Sequence, residues 1–185
     1  MARELPLLED DVLVLRRWRE ADIPEIVEAC QDADIVRWIS QIPTPYGEKE
    51  AREFLALTES GREDWTFLAF AITERVSERV LGSISVTLKG EVGEVGYYVC
   101  ADVRRRGIGT RALRIVSRWA LDELGLARLQ LVADVGNTAS AGLAEKLGYR
   151  REGVLRAWLN NRGTRADVIM YSLLPGEVDQ RSGDE

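Results

Sequence analysis

The chain has 185 residues, 45% hydrophobic and 30% charged, with a formal net charge of -6, which suits one domain with a sizeable core. The acidic balance argues against nucleic acid as a partner, because that affinity rests on neutralising phosphates, and weakly favours a cationic one. No histidine occurs, which removes Ser-His-Asp and Cys-His catalysis and histidine metal sites, so no metal is expected.

Two cysteines, Cys30 and Cys100, make no disulfide framework and fit a reducing compartment. No secretory segment opens the chain, and no apolar run approaches the ~18 residues needed to span a bilayer. A cytoplasmic protein with no membrane partner is expected.

In chain order, Val12–Arg16 predicts a first strand after the acidic cluster Glu9-Asp10-Asp11. Asp22 with Glu25 three residues on forms a capping box, Pro24 suits a first turn, and Ile23, Ile26, Val27 and Cys30 give a helical face. Asp32–Pro45 predicts a broken helical turn and loop, in which Trp38 is either a wall of an acceptor pocket or a buried anchor. Ala51, Phe54, Leu55 and Thr58 predict a helix over Glu48–Thr58, ended near Gly61.

Thr66–Thr73 and Val80–Leu88 read as a hairpin across the charged turn Glu74–Arg79. Gly90 and Gly93 bracket a further turn before the strand Glu94–Val99. Ala112, Leu113, Val116, Trp119 and Ala120 then recur at helical spacing as far as Leu124, with Gly125 placed as a C-cap. Leu126–Val135 reads as a strand. Asn137 and Thr138 offer N-cap chemistry to a helix Ser140–Leu147 closed by Gly148, and the strands Gly153–Asn160 and Arg165–Leu173 meet at Asn161-Arg162-Gly163. Residues 1–174 form a single domain on this reading, and Pro175–Glu185 a polar, disordered tail.

Between strand and helix lies Arg104-Arg105-Arg106-Gly107-Ile108-Gly109-Thr110. A helix N-terminus leaves backbone N–H groups unpaired and carries partial positive charge, so an anion there satisfies both. Gly107 and Gly109 allow close approach, the arginines add attraction, and a diphosphate is the natural guest. No lysine follows the glycines, which excludes a Walker loop, and the spacing differs from the dinucleotide G-x-G-x-x-G. A strand-helix-strand unit of this length makes a right-handed parallel crossover, placing the anion at the carboxyl edge of the sheet.

Arg104, Gly107 and Gly109 fill the positions of the R/Q-x-x-G-x-G/A acyl-CoA pyrophosphate loop, which the stretch resembles, in the GNAT superfamily of acetyl-CoA-dependent N-acetyltransferases. Asn137 through Tyr149 is similar to the segment that follows the superfamily's fifth strand. Trp38 with Pro43 to Tyr46, Glu94 to Tyr97, Ser140, Lys146 to Tyr149, Glu152 to Arg156 and Asp167 to Leu173 resemble the RimJ/RimL type, the ribosomal-protein N-terminal acetyltransferases.

The resemblance implies an α/β (α+β) GNAT fold: a mixed, mostly antiparallel twisted sheet of about six to seven strands flanked by helices. It also implies a parallel strand-helix-strand unit splayed to hold pantetheine. Acetyl-CoA would then rest on the backbone of Tyr98, Val99 and Cys100 and on Arg104, Arg105, Arg106, Gly107, Ile108, Gly109 and Thr110, with its thioester beside Asn137 and Ser140. Many members carry a catalytic tyrosine where this chain has Ala144. RimJ/RimL-type members resemble this chain in lacking that tyrosine and in having a serine at the position of Ser140, so the resemblance gives the acid or hydrogen-bonding role to Ser140, whose alternative is to cap or pack its helix.

Glu94 is the candidate base through water, or else a salt-bridged glutamate at a strand start. An α-amino group titrates near about 7.7–8 and a lysine near about 10.4, so a terminal amine needs less help. Trp38 and Tyr97 are the candidate acceptor-side residues. Cys100 lacks a histidine to activate it as an acyl carrier. The acceptor is expected to be a protein or peptide N-terminus, with a polyamine, aminoglycoside or amino acid derivative as the alternative. A non-catalytic acyl-CoA-binding module is the third reading, and edge strands leave room for a homodimer.

Overall fold

A computed structural model describes residues 4–179, and strand pairing dominates it. The strands are β1 (Leu8–Glu9), β2 (Leu13–Arg16), β3 (Phe67–Glu74), β4 (Val80–Lys89), β5 (Val92–Val99), β6 (Arg128–Asp134), β7 (Arg150–Asn161) and β8 (Thr164–Leu173). They form one sheet in the order β1-β2-β3-β4-β5-β6-β8-β7, in which β5–β6 is the parallel pair. The expected mixed sheet is present with eight strands rather than six to seven. The addition is β1, whose two residues pair with Val14 and Leu15 but are too few to carry a period-2 signal.

The helices are α1 (Ile23–Ala29), α2 (Ala33–Trp38), α3 (Glu48–Glu63), α4 (Ile108–Arg118) and α5 (Thr138–Lys146). Strand alternation in β3 divides the core. Leu68, Phe70 and Ile72 join the α4 residues Leu113, Val116 and Trp119 in one cluster, where Phe70 meets Trp119 edge-on at 5.5 Å. Ala69 and Ala71 lie in a second cluster with Ile23, Ile26 and Cys30 from α1 and Ala51 from α3. Helices therefore cover both faces. Past Arg118, α4 widens into a π turn over Trp119–Glu123, with Leu124 N–H donating to Trp119 O at 2.9 Å, and Gly125 ends it at φ 76°.

Four local expectations are corrected. The Asp22 side chain makes no cap bond to α1; its carboxylate takes both terminal nitrogens of Arg16 at 2.8 Å and the Arg19 N–H at 2.8 Å. Arg16 and Asp22 are both buried, and an unpaired guanidinium there would be costly. α3 continues two residues past Gly61 to Glu63, and packing rather than helix termination requires the glycine, since a Cβ would lie 2.6 Å from Phe67 Cβ. Gly93 belongs to β5 and not to a turn. Finally, Pro175–Asp179 is packed rather than loose: Asp179 accepts from Arg114 at 2.8 Å and Arg118 at 3.0 Å, its N–H donates to Leu147 O, and Val178 joins the core. Residues 180–185 of the expected tail lie outside the described residues. Among the described residues no helix is long and apolar enough to cross a membrane.

Candidate active site

The site begins where one strand pair stops short. β5 and β6 are paired at Val92↔Arg128, Gly93↔Leu129 and Glu94↔Gln130, after which β5 continues beside β4 to Val99 and β6 continues beside β8 to Asp134. Gly93 fits the apex of this wedge. A Cβ there would lie within 2.7–2.9 Å of the Leu126, Val86 and Leu129 side chains, so only glycine lets the strands meet.

The open edge of β5 is set by alternation. Cys100 N–H donates to Leu81 O at 2.9 Å, which turns the backbone groups of Cys100, and of Tyr98 two residues before, toward β4. Those of Val99 and Tyr97 consequently face the wedge. Val99 O is taken by Arg104 Nε at 3.1 Å. Of the three backbone positions expected to hold a ligand, Val99 presents its groups to the opening. Tyr97, expected only on the acceptor side, does so too.

The arginine loop follows. Arg105 and Gly107 both have positive φ, 63° and 80°, and Gly107 is the N-cap of α4, so successive N–H groups turn toward one concavity. Gly109 is buried. A Cβ on it would be 2.9 Å from Leu143 of α5 and 3.4 Å from Val99, so this glycine seats the start of α4 between strand and helix. Arg104 Nη2 reaches Asp32 at 3.0 Å and its Nη1 reaches Asp34 at 3.4 Å, so Arg104 ties the loop to α2. Arg105 and Arg106 are exposed.

Asp32 caps α2 by accepting from the N–H groups of Asp34 at 2.8 Å and Ile35 at 2.9 Å. Burial raises its carboxyl pKa, but Arg104 and these N–H groups outweigh that and hold it below the usual carboxylate range. Asp32→Ala is expected to lower stability by about 1–2 kcal/mol, the worth of an N-cap with a charge-assisted bond. A carboxyl lowered in the folded state stabilises above its unfolded pKa and stops doing so as pH falls through the folded value. The difference between wild type and variant in chemical denaturation should therefore shrink below about pH 4.

Two cavities open from the wedge. One, of about 630 Å³, is lined by Val99, Arg104, Arg105, Gly107 to Thr110, Leu143 and Lys146. The other, of about 650 Å³, is lined by Cys30, Trp38, Ile42, Tyr46, Phe54, Phe67, Ser83, Ser85, Thr87, Glu94, Gly96 and Asp134. They share Trp38, Ile39, Tyr97, Tyr98, Asn137 and Ser140. At this junction the Tyr97 and Ser140 hydroxyls are 3.1 Å apart, and Asn137 Oδ1 caps α5 by accepting from Ser140 N–H at 3.1 Å. Burial raises the Tyr97 pKa, opposed by the bond to Ser140. Both hydroxyls stay protonated at neutral pH.

The expected site residues thus separate into groups. Ser140, Asn137, Tyr97, Tyr98 and Trp38 meet where the cavities join; Glu94 lines the second cavity, accepting from Gln130 Nε2 at 2.8 Å. Cys100 and Arg106 line neither. Burial pushes both the Cys100 and Cys30 thiols up to about 11, so neither is a thiolate at neutral pH. Tyr149 OH is 2.9 Å from Ser117 Oγ in the core, and Ala144 is fully buried; neither position supplies a phenol to the site.

Trp38 is held from outside its own helix. In the β7–β8 turn Arg162 and Gly163 have φ of 50° and 86°, the pattern of a type I′ turn. From it Arg162 donates to the carbonyls of Val36 and Ile42, each at 2.8 Å. Asn161 Nδ2 donates to Arg37 O at 3.0 Å. Periodicity missed the β4 hydroxyl row of Ser83, Ser85 and Thr87, although its period of two between the buried Ile84 and Val86 is the signal of a strand with one polar face. Among the described residues no cluster of three or more His, Cys, Asp or Glu side chains could hold a metal ion.

Residues 12–150 match the family described as the acetyltransferase (GNAT) domain. Over 172 residues the chain is 27% identical to the uncharacterised N-acetyltransferase YoaA of Bacillus subtilis (strain 168), covering 91% of this chain and 97% of that protein. Among solved structures it is similar to RimL, a ribosomal L7/L12 alpha-N-protein acetyltransferase in complex with coenzyme A, with TM-score 0.84 and 16% identity over 91% of this chain and 98% of that one. It is also similar to the microcin C7 self-immunity acetyltransferase MccE in complex with acetyl-CoA and AMP, with TM-score 0.81 and 18% identity over 89% and 93%. At these identities the two structures establish the shared fold.

Proposed function

The chain belongs to the GNAT acetyltransferase family, and we propose that it transfers an acetyl group from acetyl-CoA to a primary amine, the α-amino group of a protein or peptide N-terminus. The observation that carries this reading is the meeting of two cavities at Ser140 and Tyr97, where one is walled by an anion-binding loop and the other is not. Acetyl-CoA fits the first. Backbone N–H groups from Arg106 to Thr110 suit its pyrophosphate, and the open edge at Tyr97 and Val99 suits its pantetheine amides. When bound, it supplies the acetyl group as an activated thioester.

The protein's residues then account for the rest of the transfer. The amine nitrogen forms a C–N bond to the acetyl carbon as the C–S bond breaks. Glu94, through a water, takes the proton lost by the amine. Ser140 donates its hydroxyl proton to the departing sulfur, Tyr97 orients that hydroxyl, and the proton taken up by Glu94 returns through water to the serine oxygen, so that CoA leaves as the thiol. Asn137 fixes the turn that carries Ser140. With both thiols protonated, no acyl-cysteine is needed, and transfer is direct within a ternary complex.

The second cavity, of about 650 Å³, also suits a small amine, the second reading. Release of CoA thiol is expected only when acetyl-CoA and an amine are both present, and faster with free than with N-acetylated peptides. Equal slow release with either peptide would contradict an amine acceptor, and turnover of small amines alone would favour the second reading.

A further inference from the structure

The second cavity carries four carboxylates, Glu50 and Glu53 from α3, Glu94 from β5 and Asp134 from β6, and neither a lysine nor an arginine among its lining residues. This contrasts with a chain that has 25 basic residues. Three of the four, Glu50, Glu94 and Asp134, have no basic partner among the described ion pairs, and the exposed Glu53 is paired with Lys49. Glu50 accepts from Gly47 N–H at 2.9 Å, Glu94 from Gln130 and Asp134 from Gly136 N–H at 2.8 Å, while Glu53 lies 3.8 Å from Lys49. Arg37 and Arg162, which contact the segment around Trp38 and Ile42, are engaged elsewhere: Arg37 lies 4.4 Å over the Trp38 ring, and Arg162 donates to backbone carbonyls.

The remaining wall is apolar and aromatic, with Trp38, Ile42, Phe54 and Phe67, and is relieved by the hydroxyls of Ser83, Ser85 and Thr87. Low-dielectric walls focus the field of the three carboxylates without a basic partner, Glu50, Glu94 and Asp134, on whatever enters. A cation is drawn in. An anionic group meets repulsion and finds no side chain to pair with, and that mismatch discriminates more strongly than a missing apolar contact.

We infer that the acceptor is a cationic amine with an apolar body and no carboxylate or phosphate close to the amine. This rests on the proposed acetyl transfer and narrows its substrate. Free amino acids fall outside the class. Amino acid amides, apolar monoamines and peptide N-termini fall inside it, since in a peptide the first carboxylate has become an amide.

The test compares phenylalanine amide, free phenylalanine and a tetrapeptide amide beginning with phenylalanine. Each is first titrated by calorimetry into CoA-loaded protein, then assayed for CoA release with acetyl-CoA. The amide is expected to bind on the order of tenfold or more tighter than the free acid, the scale of one uncompensated like-charge contact in a partly screened site. The Glu50→Gln and Asp134→Asn variants should each narrow that ratio; each keeps a side-chain oxygen for its N–H donor, Gly47 or Gly136.

Equal binding of amide and free acid, or tighter binding of the acid, would overturn the inference, as would failure of both amides to bind. The expected preference in binding without any CoA release would uphold it and overturn acetyl transfer instead. Either amide being the better acceptor supports the inference, and the comparison between them separates a small amine from a chain terminus.

Discussion

Replacing Ser140 by alanine is expected to lower kcat by about 10²–10³-fold, the range for removing a positioned proton donor, while the KM for acetyl-CoA moves by no more than about twofold. The reasoning is geometric. Ser140 lies at the junction of the two cavities, and its Oγ is 3.1 Å from the half-buried Tyr97 phenol, so its hydroxyl stands between β5 and α5 where the cavities meet. Its N–H is already satisfied by Asn137, and Ala keeps that bond, so a kcat loss at constant stability separates chemistry from helix packing. Tyr97→Phe removes the partner hydroxyl but leaves Ser140, and should cost only about tenfold in kcat, in line with a positioning role. An unaltered kcat in Ser140→Ala would assign this serine to packing.

Gly109→Trp is expected to abolish acetyl-CoA binding, a loss of at least about 100-fold in affinity, or about 2.7 kcal/mol. Even a Cβ at this position would press on Leu143 at 2.9 Å and Val99 at 3.4 Å, and an indole would have to displace α5 or project into the loop's concavity. Thermal unfolding provides the control. A variant that is folded yet gains no protection from acetyl-CoA has lost the donor site, whereas wild-type protein at about 100 times its Kd should gain about 2.7 kcal/mol of stability. The exposed Gly107 gives a contrast. A Cβ there meets nothing within 4 Å, but its φ is 80°, so Gly107→Ala strains the backbone without filling the site.

The sequence carried the sheet's interior and the loop better than the wall of the second cavity. Segments whose alternation or helical spacing reports a single burial face, such as Arg128–Asp134 or Ile108–Arg118, lie within a few residues of expectation. Pairs distant in the chain were not legible. Arg16–Asp22 turned a cap into a buried ion pair, Gly61 and Gly93 answer to steric neighbours that no local pattern names, and Arg114 and Arg118 pin Asp179 from 61–65 residues away.

The site shows the same division. Arg104 to Thr110 and Asn137 to Ser140 are contiguous motifs and were readable. Glu50, Asp134 and the β4 hydroxyls come from three elements, and only the fold brings them into one cavity. Arg104 matched a motif position, yet its side chain holds Asp32 and Asp34; a motif marks where a residue stands and leaves its contacts to tertiary structure.

The most direct test of acetyl transfer at this wedge is a calorimetric titration of the wild-type protein with acetyl-CoA, run in parallel with Gly109→Trp. One site per chain with micromolar affinity, absent from the variant, is the predicted result. Undetectable binding to a folded wild-type protein, or equal binding to both proteins, would contradict the placement of the donor in the cavity between β5, α4 and α5.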